Sequence, residues 1–223
     1  GFFGFEAIKQ ALEREVAHDV MAPLIMAVDV ARFGRDKTVI RFRRGRDGRS
    51  ISPVVLQGKD NVYVANIVQR EYDRWKPDAL VIESTGPGSG VIDVLRDRNY
   101  KVTEVHPGSN SANQQHYYRK RDEMYGLFRD WVIEEGCLPT NEPDLIEQMS
   151  KVRYGLDRFE SSIIIESKED YKKRTNLTSP DEMDSFALTF GVKVARRDRN
   201  LDVRSGGREA NQYETEYDVM GYG

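Results

Sequence analysis

The stretch LIMAVDV, residues 24–30, is apolar at every position but one. Such a run suits a central strand buried on both faces. An ionised carboxylate inside a strand of this kind is costly unless a cation or hydrogen bonds compensate it. Asp29 therefore demands a partner, and the fold must bring one to the end of this strand.

The surrounding pattern indicates what kind of sheet the strand belongs to. After the turn RFGRD, the stretches KTVIRFRR and ISPVVLQG read as hairpin neighbours across GRDGRS, which makes a three-stranded meander. A helix is predicted over about residues 60–75, with Val62, Ala65, Ile67, Val68 and Tyr72 on its apolar side and Pro77 ending it. DALVIE is a further strand ending in Glu83, followed by the glycine-rich STGPGSG, a helix VIDVLRDR and a strand YKVTEVH. Strand, helix, strand implies a right-handed parallel crossover, so the sheet must be mixed. A long helix over about 114–135 carries Tyr117, Met124, Leu127, Phe128 and Trp131, with Gly136 placed to cap it. DLIEQMSKVRYGLD reads as a shorter helix running into a turn, and SSIIIES as a short strand. Ser179, Pro180, Asp181 and Glu182 form a capping box, with Ser179 as N-cap and proline at the first helical position. The helix that follows would bury Met183, Phe186, Ala187, Phe190 and Val194. Residues 6–18 read as an amphipathic connector, and the polar end of the chain as a flexible tail. No internal repeat is visible.

A length of 223 residues suits one sizeable domain. Charged residues make up 32% and no apolar run approaches the roughly 18 to 20 residues of a membrane span, so a soluble protein is expected. GFFGF is followed by EAIKQALEREVAHDV, which has neither a continuous apolar core nor a cleavage site, so secretion is unsupported. The sequence does not open on methionine and reads as a fragment or processed chain. Cys137 is the single cysteine, which excludes an internal disulfide or a cysteine-based zinc site and suits a reducing cytoplasm. His18, His106 and His116 share no ligand spacing. A net charge of −3 argues on its face against nucleic acid, yet the average hides three basic clusters. These are Arg41, Arg43, Arg44, Arg46 and Arg49; Arg119, Lys120 and Arg121; and Lys172, Lys173 and Arg174. Each alone reads as a solvated face, and together they suggest a polyanion.

Three acids stand out. Asp29 and Glu83 each sit where an apolar strand becomes loop, and Asp184 lies one turn into the last helix, near the positive end of its dipole. Oxygen-only ligands of this kind suit Mg²⁺ or Mn²⁺. Singly, Asp29 could cap a turn, Glu83 pair with an arginine and Asp184 favour the helix start. Asp36 is either a turn residue or an outer ligand. Asp181 is expected to serve the helix start, which leaves Asp184 free to turn toward the sheet edge.

In order along the chain, MAVDVARFGRDKTVI, ALVIESTGPGSGVIDVL, IESKEDYKKR and SPDEMDSFALTFGV resemble the C-terminal nuclease domain of tailed-phage terminase large subunits, which package viral DNA. The resemblance runs from about residue 23 to 195. It implies an α/β, ribonuclease H-like fold with a central mixed sheet flanked by helices. It also implies a two-metal DNA endonuclease using Mg²⁺ or Mn²⁺, with active-site acids at Asp29, Glu83 and Asp184, although many relatives carry aspartate where this chain has Glu83. Asp29, the acid nearest the sheet centre, is the expected bridging ligand, with Asp36 and Asp181 as further candidate ligands. Lys168, in IESKED, would neutralise a phosphate. Arg41, Arg43, Arg44 and Arg46 would contact the backbone of double-stranded DNA without reading sequence. The implied partners are DNA, portal and small terminase subunit, with no membrane, in the host cytoplasm and transiently at the procapsid portal. The sequence contains no G-x-x-x-x-G-K-[ST] loop, so no ATPase is expected here. Residues 1–22 would then be a linker helix from an absent ATPase domain, residues 23–195 the nuclease domain and residues 196–223 the tail.

Two other readings stand beside this one. STGPGSG, residues 84–90, between strand and helix resembles a phosphate-cradling loop of a nucleotide binder, although its glycine spacing is not G-x-G-x-x-G and Glu83 would repel phosphate. A nuclease-like fold could also act only as a docking module of the packaging motor. Dependence on a divalent metal separates the three.

Overall fold

The computed structural model describes residues 1–31 and 34–196. Apart from Arg196, the expected tail lies outside the described residues. The elements in chain order are α1 (Phe5–Glu13), β1 (Leu24–Asp29), β2 (Lys37–Arg44), β3 (Val54–Gln57), α2 (Asn61–Trp75), β4 (Ala79–Glu83), α3 (Gly88–Asp97), β5 (Thr103–Val105), α4 (Lys120–Glu134), α5 (Pro143–Lys151), β6 (Tyr154–Leu156), β7 (Ile163–Ile165), α6 (Lys168–Thr175) and α7 (Asp181–Leu188).

Five strands form one sheet in the order β3-β2-β1-β4-β5. β1 pairs antiparallel with β2 and parallel with β4, so it is the central strand that its apolar run requires. This is the mixed, ribonuclease H-like α/β sheet. Side chains alternate across it. Leu24, Met26 and Val28 of β1 and Leu80 and Ile82 of β4 join a core with Val64 and Val68 of α2 and Val91 and Leu95 of α3. Ile25 and Ala27 of β1 and Ala79 and Val81 of β4 face the other way, into a core with Met124 and Phe128 of α4 and Met183 and Phe186 of α7. The next residue on that second face is Asp29 on β1 and Glu83 on β4. The pleat thus carries both acids to the α4/α7 side, where the strands run out.

Local chemistry explains the boundaries. Asp60 caps α2 by accepting from the Tyr63 N–H at 2.8 Å, and Lys76 closes it in the left-handed region just before Pro77. The turn from β4 into α3 needs glycine at residue 88, where a Cβ would lie 1.8 Å from the Glu83 carbonyl oxygen.

Several expected elements differ. α1 ends at Glu13 rather than running to residue 18, and Phe2 and Phe3 ahead of it are each only 2% exposed, packed into the α4/α7 core. The predicted connector is thus docked on the domain. The 114–135 helix starts at Lys120, so Tyr117 precedes it, because Asp122 accepts from the Arg119 N–H and closes the first turn there. Gly136 does close the helix, its N–H donating to the Trp131 carbonyl at 2.7 Å, and a Cβ there would lie 2.2 Å from the Trp131 ring. Tyr154–Leu156, read as a turn, is a strand paired with Ile163–Ile165. α6 went unforeseen because KEDYKKRT has one buried residue, Tyr171, and no apolar stripe. α7 begins at Asp181 with no side-chain cap and ends at Leu188, so Ser179 is not its N-cap and Phe190 and Val194 lie beyond it. Among the described residues no helix is long and apolar enough to cross a membrane.

Candidate active site

Asp29 and Glu83 end adjacent parallel strands, one position past the Val28–Ile82 pair. Asp184 approaches from α7, which packs across β1 and β2 on the same face. Lys168, the first residue of α6, brings its ammonium between two of these acids, 3.5 Å from Asp29 Oδ2 and 3.1 Å from Asp184 Oδ2. Asp29 is 5% exposed and Asp184 7%. Neither Oδ2 has a hydrogen-bond partner, which marks a buried acceptor pair facing one cation.

The two acids are held in different electrostatic states. Burial pushes Asp29 well above the usual carboxylate range; Lys168 offsets part of this, and the charges of Glu83 and Asp184 add to it. Burial also opposes the charge on Asp184, but Lys168, Arg121 and the Tyr125 hydroxyl outweigh it and hold this carboxyl below its ordinary value. Lys168 loses hydration yet is raised well above its usual range by Asp184 and Asp29. The result is a group of carboxyls, two of them buried, gathered around one ammonium.

The remaining candidates fall around this centre. Glu83 is half-buried and its Oε1 accepts from the Thr85 hydroxyl, so its carboxylate is turned along its own loop. Among the described residues no three His, Cys, Asp or Glu side chains stand close enough together to hold a metal ion as they are placed. The donor set nevertheless fits a hard cation, because all the acceptors are carboxylate oxygens and two of them are buried without donors. Asp181, the first residue of α7 and an acid at the positive end of its dipole, also accepts from the Lys37 N–H at 2.6 Å, which ties α7 to the start of β2. Asp36 pairs with Lys172 at 3.0 Å and accepts from the Ser179 N–H at 3.3 Å, so it ties the approach to β2 to α6 and to the segment before α7.

The arginine expectation needs correction. β2 alternates like β1, so Arg41 and Arg43 face inward under α7 while Ile40 and Phe42 face α2. Arg41 is 1% exposed and bonds Glu142 at 2.6 Å and Glu182 at 3.0 Å. Arg43 donates to the Thr189 hydroxyl and carbonyl, and burial lowers its pKa to about 10. Neither reaches a solvent-side phosphate. Arg44 is half-buried and donates to the Ala22 carbonyl, and Arg46 stays exposed beside Glu135. Two of the three glycines of the 84–90 loop serve close packing, Gly88 against the Glu83 carbonyl and Gly90 against the Asn61 amide, while Gly86 supplies a left-handed φ of 59°. The sequence reading missed Tyr125 and Arg121, both of which contact Asp184. Their spacing of four on α4 was the available signal.

No family model matches the chain. It is 22% identical over 213 residues to the probable terminase large subunit of Enterobacteria phage P7, covering 90% of this chain and 43% of that protein. The chain thus spans less than half the length of this relative. Its fold is similar to a manganese-bound variant of the nuclease domain of the large terminase subunit gp2 of bacterial virus Sf6, with TM-score 0.66 and 11% identity over 85% of this chain and 96% of that one. It is also similar to the magnesium-bound large terminase nuclease from thermophilic phage G20c, with TM-score 0.55 and 13% identity over 83% of this chain and 95% of that one. The chain has the fold of these nuclease domains.

Proposed function

We propose that this chain, which resembles the nuclease domain of tailed-phage terminase large subunits in sequence and in fold, is a divalent-metal-dependent DNA endonuclease that cuts concatemeric viral DNA during packaging. The observation that carries this reading is the pair of buried, donor-free carboxylate oxygens of Asp29 and Asp184, converging on one cation at the edge where β1 and β4 end. The metal-bound relatives on the same fold support it.

Asp29, Glu83 and Asp184 would hold Mg²⁺ or Mn²⁺, whose chemistry when bound is activation of a water nucleophile and stabilisation of the leaving 3′ oxygen. Asp29, on the central strand between the other two acids, is the ligand that can be shared. Glu83 would turn from Thr85 toward it, a movement its longer side chain permits. Lys168, 30% exposed at its side chain, can offer its charge to a phosphate of the bound strand while its stem stays packed. Arg46 is the member of the hairpin cluster left to meet the DNA backbone. Double-stranded DNA, portal and small terminase subunit are the proposed partners, with action in the host cytoplasm at the procapsid portal. Without a G-x-x-x-x-G-K-[ST] loop, the reading assigns this chain no ATP hydrolysis.

The test is conversion of supercoiled plasmid to nicked and linear forms in Mn²⁺ or Mg²⁺. Cleavage is expected to stop in EDTA and in Asp29→Asn. Wild-type rates from that variant, or undiminished cutting in EDTA, would refute the assignment.

A further inference from the structure

Asp184 offers only one of its two oxygens to the site. Its Oδ2 faces Lys168 and has no hydrogen-bond donor, whereas its Oδ1 is occupied from the opposite side by two residues of α4. The Tyr125 hydroxyl donates to Oδ1, and Arg121 Nη2 lies 3.4 Å from the same atom. Tyr125 is 1% exposed, with its ring against the Phe2–Phe3 pair, each centroid 6.5 Å away, so the hydroxyl has little freedom to leave. The guanidinium of Arg121 lies 4.8 Å from the centre of the Tyr125 ring, which braces the two donors against each other.

The same turn of helix also steadies the segment that delivers Lys168. Arg121 Nη1 donates to the Glu166 carbonyl at 2.9 Å, two residues before Lys168, and Asp122 accepts from the Ile165 N–H at 2.8 Å. The first turns of α4 thus grip α7 through Asp184 and the approach to α6 through Glu166. A carboxylate with both oxygens free could rotate and bind a cation through either or both; one with Oδ1 held by two donors is fixed in its rotamer and presents Oδ2 alone.

We infer that Tyr125 and Arg121 are positioning residues that clamp Asp184 Oδ1, so that Asp184 meets the divalent cation through Oδ2 only. The inference rests on the metal-site reading above and adds to it the device that sets the ligand. Partners that orient a ligating carboxylate typically change metal affinity 10–100-fold when removed, without touching the metal themselves.

Mn²⁺ binding, followed by electron paramagnetic resonance and by calorimetry in the absence of DNA, tests this on the whole chain. Tyr125→Phe removes the donor and keeps the ring, so its far-UV spectrum in EDTA should match the wild type and its melting point should fall only by the loss of one buried hydrogen bond. Its Mn²⁺ affinity should fall 10–100-fold. Arg121→Lys keeps the charge but loses the two-point reach to Asp184 and Glu166; its affinity should also fall, and it decides the matter if Tyr125→Phe does not fold. Folded variants with wild-type Mn²⁺ affinity would overturn the clamp and leave the nuclease reading standing. Failure of the wild-type chain to bind Mn²⁺ would overturn both.

Discussion

Asp181 and Asp184 share a face of α7, and their surroundings give them opposite electrostatic fates. Burial raises Asp181 to about 6, against which the Lys37 N–H, Lys168 and Ser179 pull downward. An acid raised on folding binds a proton more tightly in the native state than in the unfolded chain. Its stabilising effect is therefore complete below the unfolded value near 4 and is lost as pH rises through about 6. The shift of roughly two units corresponds to at most about 3 kcal/mol. Asp181→Asn keeps an oxygen that accepts from Lys37 but cannot ionise. In urea titrations in EDTA, the stabilities of variant and wild type should differ little at pH 4, and the variant should gain on the wild type progressively up to pH 7. Parallel curves across that range would show that Asp181 does not titrate as its burial requires. Asp184, by contrast, was expected to be structurally idle, and it is not: its contacts with Tyr125, Arg121 and Lys168 mean that Asp184→Ala should cost stability as well as activity.

At the scale of elements, β2 shows how a charge cluster misleads. Five arginines between residues 41 and 49 suggest one basic ribbon, but β2 ends at Arg44: its pleat and pairing with β1 turn Arg41 and Arg43 inward, while Arg46 and Arg49 lie in the turn that follows. Arg41→Ala would leave Glu142 and Glu182 without their buried partner, which should cost about 3–5 kcal/mol in a thermal or urea melt. Arg46→Glu should leave the melt nearly unchanged and weaken DNA binding, lowering its salt slope by about one; an unchanged slope would return Arg46 to the ordinary surface. The sheet itself was legible because β1 and β4 are apolar runs and β2 and β3 lie between turn signals, and the β4–α3–β5 crossover because a glycine-rich loop separates strand from helix. Asp29 and Glu83 were legible as acids ending such runs. α6 and β6 were not, since neither carries the periodicity of a buried face: all three β6 residues are exposed and α6 buries only Tyr171. The start of α7 was misplaced because Ser179 and Pro180 have the composition of a capping box, whereas the Ser179 N–H is engaged with Asp36 across the fold. Tertiary partners decided that boundary.

At the scale of the molecule, one core crosses the expected division between a linker and a nuclease domain. Phe2, Phe3, Ile8 and Ala11 belong to the same cluster as Ile25, Phe128 and Phe186. The contact is directional as well as apolar. Phe3 meets Phe128 edge-on at 4.8 Å, and Phe128 stacks on Phe186 at 4.6 Å with the rings 8° from parallel. Phe186 lies two residues beyond Asp184, so the packing of the N-terminal segment reaches the helix that supplies the third acid. A connector would make no such chain of contacts, and truncating one of its side chains would leave the domain's melt unchanged. Phe3→Ala should instead cost about 3–5 kcal/mol, the range for removing a buried aromatic ring. Because Phe3 joins the cluster that α4 and α7 share, the loss should appear in one cooperative transition, with near-UV and far-UV signals moving together. Mn²⁺ affinity, measured well below the lowered melting point, should fall less than in Tyr125→Phe, since the hydroxyl on Asp184 remains. A Phe3→Ala melt indistinguishable from wild type would make residues 1–13 an appendage resting on the domain; a lower, single transition makes them part of the unit that holds the acids in place.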